Sequence, residues 1–223
     1  MFDTEQQLVD QVTCQLKSPS SKRIPVALKC KNQVILHEVN LGYGIADIVL
    51  TQCVEFPERR NKYLNLLEIK ILKIINENSR VTVESIIEKT RLPKKKIINA
   101  IHSLENLGLV NSGKDTISPL KKYASTVKKT IAIEAKLHNW QRALKQAYRY
   151  KWFSHKSFVC LPSNSVNPAR KNIEKFKKMG VGLIGFCEDK GFQVFYSPKT
   201  EKPISDEMTI MLNECVLSVL HAS

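Results

Sequence analysis

No run of apolar residues in this chain of 223 residues is long enough to cross a bilayer, which excludes a hydrophobic membrane helix. A secretory leader needs a basic stretch followed by an apolar run. The chain instead offers Asp3, Glu5, Gln6 and Gln7, so the expected compartment is the cytoplasm. Closely spaced cysteines are also missing. Cys14, Cys30, Cys53, Cys160, Cys187 and Cys215 lie far apart, which argues against a zinc ribbon and against a redox pair. Several sit in apolar runs such as Phe158-Val159-Cys160-Leu161 and read as reduced, buried thiols. There is no internal repeat and no low-complexity segment.

Acidic charge is in short supply. The chain carries 35 Lys and Arg against 21 Asp and Glu, a net charge of +14. The excess is uneven: residues 1–60 balance, residues 61–120 carry +4 and residues 121–223 carry +10. Such a surplus suits a polyanion partner, although a lysine-rich solvated surface gives the same count. The apolar content of 43% is enough for a sizeable core, in one large domain or two small ones.

Periodicity divides the chain. Leu8, Val9, Val12 and Leu16 form a helical stripe over 5–17, and Ser18-Pro19-Ser20-Ser21 ends it. Strands are expected at 24–28, 33–39 and 45–53, with Asn40-Leu41-Gly42-Tyr43-Gly44 as a turn. The pattern then becomes helical. Leu64, Leu67, Ile71, Ile74 and Ile75 share a face over 61–77, and a short helix follows over 83–89 behind a Thr82 cap. A third helix begins near Lys94 and turns Ile97, Ile98, Ile101 and Leu104 inward. Asn111-Ser112-Gly113-Lys114-Asp115 then closes a small hairpin. Three helices and a hairpin resemble a winged helix-turn-helix. After the basic stretch 121–129, the expected elements are strands at 130–136, 157–161, 181–187 and 193–197, and helices at 140–153, 168–179 and 205–220. The expected organisation is an α/β domain from 1–56 and 121–223, interrupted by an insert over 57–120.

Two apolar strands carry charge. Asp47 stands inside Gly44-Ile45-Ala46-Asp47-Ile48-Val49-Leu50, where an unpaired carboxylate is costly. In Ile131-Ala132-Ile133-Glu134-Ala135-Lys136, strand alternation puts Glu134 and Lys136 on one face. Two carboxylates from neighbouring strands can hold Mg²⁺ or Mn²⁺, and a lysine beside them can orient water or steady developing negative charge.

Asp47 on one strand and Glu134-Ala135-Lys136 on the next, followed by a helix, resemble the PD-(D/E)xK nuclease superfamily. Gln146-Ala147-Tyr148-Arg149-Tyr150 matches the QxxxY pattern that RecB-like and related members carry on that helix. The resemblance implies a restriction-endonuclease-like mixed central sheet flanked by helices, and metal-dependent cleavage of nucleic acid. It implies Asp47, Glu134, Lys136 and Gln146 as catalytic residues and Asp47 and Glu134 as metal ligands. Two departures stand out: Ala46 occupies the position of the motif's proline, and the interval from Asp47 to Glu134 is long, filled by the helical insert.

Glu5, Glu38, His37, His138 and Trp140 read as structural residues, although either Glu5 or Glu38 could serve as a further metal ligand of the kind some members use. Lys121, Lys122, Lys128 and Lys129 serve either phosphate contact or a solvated linker. In the insert, Lys94, Lys95 and Lys96 open a helix whose N–H groups and dipole already favour phosphate. Asn99 and His102 share its outer face, and Lys114 tips the hairpin. The expected activity is therefore Mg²⁺- or Mn²⁺-dependent DNA endonuclease, with DNA as partner and a homodimer suited to cutting both strands. The alternative is a non-catalytic DNA-binding regulator on the same scaffold.

Overall fold

The computed structural model describes residues 2–18, 24–55 and 61–222. The chain forms two compact units. Unit 1 comprises Met1–Glu55 and Val127–Thr209, and unit 2 comprises Phe56–Thr126 and Ile210–Ser223.

Unit 1 is an α/β domain built on a mixed six-stranded sheet. Its strands are β1 (Gln33–Asn40), β2 (Ile45–Cys53), β5 (Val127–Ala135), β6 (Lys156–Pro162), β7 (Gly182–Cys187) and β8 (Gly191–Tyr196), adjacent in that order. β1, β2 and β5 run antiparallel, β5, β6 and β7 run parallel, and β8 returns antiparallel. Helix α1 (Glu5–Lys17) is capped by Thr4, whose hydroxyl accepts from the Gln7 N–H at 3.1 Å. It lays Leu8, Val9, Val12 and Leu16 against Ile48, Leu50, Ile131, Ile133 and Phe158 on one sheet face. Alternation sends Asp47, Val49, Ala132 and Glu134 to the other face. Helix α5 (Trp140–Arg149) packs there on β5 and β6, burying Ala143, Leu144 and Ala147. At the β1–β2 turn, Gly42 and Gly44 take φ of 95° and 124°, which a β-carbon would disfavour.

Four local expectations change. Residues 24–28 are not a strand, because Pro25 lacks a ladder N–H and leads into a 3₁₀ turn over Val26–Leu28. The helix expected over 140–153 becomes 3₁₀ at Tyr150–Trp152. The one over 168–179 breaks at Asn172 into α6 (Asn167–Lys171) and α7 (Ile173–Met179). The helix expected from 61 starts at Leu66, because Asn65 and Glu68 form a reciprocal capping box.

Unit 2 contains α2 (Leu66–Asn78), α3 (Val83–Thr90), α4 (Lys94–Asn106), and a hairpin of β3 (Val110–Ser112) and β4 (Ile117–Pro119). Ile69, Leu72, Ile75, Ile86, Ile97, Ile101 and Leu104 fill its core. From sequence, this region is expected to end at 120 and the helix over 205–220 to belong to the α/β domain. Instead, helix α8 (Asp206–Ala222) belongs to unit 2 from Ile210 onward. Buried Glu214 accepts from the Leu64 N–H at 2.7 Å and from the Tyr123 hydroxyl at 2.5 Å, and Asn213 accepts from the Thr126 N–H at 2.8 Å. A polar pair inside an amphipathic helix signals no partner in sequence, so only the fold reveals this role.

Candidate functional site

β2 pairs with β5 through Val49↔Ala132 and Ile48↔Ile133, and one further step along that register sets Asp47 across from Glu134. The residues that sequence singled out thus meet at one end of the sheet. Lys136, just past β5, places its ammonium 3.1 Å from Glu134 Oε1 and 3.9 Å from Asp47 Oδ2. The Ala135 N–H donates to Asp47 Oδ2 at 2.7 Å, which fixes that carboxylate against the strand.

Two neighbours join them. Glu5, in the first turn of α1, pairs with the Lys136 ammonium at 2.9 Å. Tyr150, at the end of α5, donates to Glu134 Oε2 and also lies 2.6 Å from the Ile45 carbonyl. Sequence left the role of both open: a helix-initiating glutamate and an aromatic at a helical period are usually structural. The QxxxY pattern was the one signal for Tyr150. Gln146, from the same pattern, has a buried Oε1 without a hydrogen-bond partner and is not tied to the acids.

Burial grades the cluster. The side chains of Glu134, Lys136, Asp47 and Glu5 are 1%, 13%, 25% and 50% exposed. Burial raises the Glu134 carboxyl to about 7, and the Asp47 charge adds to the rise. Burial also raises Asp47, against the Ala135 N–H and Lys136. Burial alone would lower Lys136, but Glu5, Glu134 and Asp47 outweigh it and raise that ammonium. Burial and the Glu134 charge push Tyr150 above its ordinary range.

Glu38 and His37 face a neighbouring recess of about 590 Å³ that also touches Asp47, Gln6 and Asp10. Glu38 stands across from Asp47 in the β1–β2 register and adopts φ of 50°, a conformation uncommon for a side-chain-bearing residue.

The donor set suits a hard divalent cation: two carboxylates from adjacent strands, with Glu134 Oε1 buried and lacking an aligned hydrogen bond. The Lys136 ammonium now stands among these acids. Among the described residues, no three Asp, Glu, His or Cys side chains form a ready metal cage.

In unit 2, Ile97, Ala100, Ile101 and Leu104 of α4 are buried, while Lys94, Lys95, Lys96, Asn99, His102 and Asn106 are exposed. Lys94 pairs with Glu84 at 3.6 Å and His102 with Glu105 at 3.6 Å, both near the surface. Lys114 lies in the β3–β4 turn. Among the described residues, no helix is long and apolar enough to cross a membrane. Comparison with family models, with curated proteins and with solved structures finds no match to this chain.

Proposed function

We propose that the chain is a divalent-metal-dependent DNA endonuclease of the PD-(D/E)xK type, with unit 2 as a winged-helix DNA-binding module. One observation carries this reading: a single lysine ammonium contacts two carboxylates delivered by adjacent strands. Asp47 and Glu134 would hold Mg²⁺ or Mn²⁺, which when bound acidifies a water and draws charge from the scissile phosphate. The Ala135 N–H holds Asp47 in place, and Tyr150 holds Glu134 Oε2. Lys136 supplies positive charge for a phosphate oxygen or orients the attacking water. Gln146 stays in the candidate set through its unpartnered Oε1 on the neighbouring helix. Lys94, Lys95, Lys96 and Lys114 meet phosphates, while Asn99 and His102 face the bases.

A second reading has its own support. The Lys136 ammonium already pairs with Glu5, Asp47 and Glu134, as it would in a scaffold that binds DNA without cutting it. Incubation with plasmid and with single-stranded DNA, in Mg²⁺, Mn²⁺ or EDTA, separates the two. The nuclease cuts only with a divalent ion, and Asp47→Ala, Glu134→Ala and Lys136→Ala each abolish cutting while DNA binding persists. Cutting in EDTA, or full activity in Glu134→Ala, defeats this reading. Binding without cutting leaves the regulator.

A further inference from the structure

Within unit 2, the outer face of α4 does not stand clear of its surroundings. Asn99 and Asn106 look into a groove of about 640 Å³ whose other wall is formed by Asn61–Lys62 and Lys121–Ala124. The volume falls within the range of roughly 300–1,000 Å³ typical of small-molecule pockets.

The lining chemistry narrows the ligand. Asn99 and Asn106 are exposed and present both amide donors and acceptors, the pattern that pairs with the edge of a nucleobase. Lys122 brings a positive charge to the groove lining, suited to a phosphate. Lys62 borders the groove, but its charge is committed to buried Glu68 at 2.7 Å. Tyr123 also lines the groove, and its hydroxyl is anchored on the buried Glu214 carboxylate, so an aromatic ring is held at the site in advance. Amides, a lysine and a fixed aromatic match three features of a nucleotide: the edge of its base, its phosphate and the π-face of its base.

We infer that this groove binds one unpaired nucleotide, with its base edge on Asn99 and Asn106 and its phosphate on Lys122. The inference deepens the nucleic-acid reading of unit 2 and rests on it. The nucleotide comes either from a single strand or from a free nucleoside monophosphate, and both offer the same chemistry.

Calorimetry on the full chain with dAMP, dCMP, dGMP, TMP and inorganic phosphate tests the pocket. Anisotropy with a labelled single-stranded 12-mer and with its duplex tests the source. At least one mononucleotide should bind about tenfold or more tighter than phosphate. The exposed variant Asn106→Ala should lose about tenfold for that nucleotide, with duplex affinity changed less than about twofold. Tighter binding of the single strand than of the mononucleotide assigns the pocket to DNA strands, and equal binding assigns it to free nucleotide. Phosphate binding as tightly as every mononucleotide overturns the inference. Duplex binding without mononucleotide or single-strand binding overturns it too, yet leaves unit 2 a DNA-binding module. Failure to bind any nucleic acid removes both.

Discussion

Tyr150 donates its phenolic hydrogen to the Glu134 carboxylate while the same oxygen lies 2.6 Å from the Ile45 carbonyl. One hydroxyl hydrogen cannot fully serve two acceptors. With Glu134 ionised, the hydrogen serves the carboxylate. With Glu134 protonated, the acid donates to Tyr150, and Tyr150 turns its own hydrogen to Ile45. The tyrosine therefore keeps the buried acid paired in both charge states.

Tyr150→Phe removes this adaptable donor. The expected loss is about 1–3 kcal/mol of stability, the cost of leaving buried polar groups without partners. The loss is larger at pH 8 than at pH 6, because ionised Glu134 depends most on the donor. Urea denaturation followed by circular dichroism at both pH values measures it. A variant as stable as the native chain at pH 8 would show that the bond contributes nothing.

The folded Glu134 carboxyl titrates near 7 against an ordinary value of 4.5. Between those values the folded chain keeps a proton that the unfolded chain has released. Stability from this group therefore falls as pH rises through the interval and stays low above it, by about 3 kcal/mol in all. Glu134→Gln cannot ionise, so its melting temperature should exceed that of the native chain at pH 8, with the gap closing toward pH 5. Parallel melting curves across this range would refute the raised titration.

Lys94, Lys95 and Lys96 crowd positive charge at a helix start that favours anions. Replacing all three with Ala should weaken DNA binding across sequences. It should also flatten the plot of log affinity against log salt by roughly one unit per lost phosphate contact. Anisotropy at several salt concentrations reads the slope, and an unchanged slope would assign these lysines to solvation alone.

The β2 and β5 elements and the shared side of Glu134 and Lys136 were legible because strand alternation is a rigid rule and charge in an apolar run is conspicuous. The α4 stripe was legible for the same kind of reason. Glu5 was not: its meeting with Lys136 spans most of the chain, and nothing local announces it. The start of α2 was misplaced because the apolar stripe extends past Asn65, whereas the capping box decides where the helix begins. The walls beside Asn99 and Asn106 come from residues 61–62, which had read as the start of a helix, and from residues 121–124, whose lysines had read as phosphate contacts or a solvated linker.

Unit 2 draws on two stretches of chain, and Glu214 meets the Leu64 N–H across 150 positions. During synthesis, residues 61–126 leave the ribosome long before this carboxylate exists. Until α8 arrives, the Leu64 and Thr126 N–H groups lack the acceptors they have in the finished fold. The helices of unit 2 can form early from local contacts, but their closing polar bonds wait for α8, which is translated only after β5 to β8. A ribosome stalled before residue 210 would therefore display an α2–α4 region that is helical yet open to protease. Cutting residues 56–126 out as a free-standing module would reproduce that unfinished state permanently.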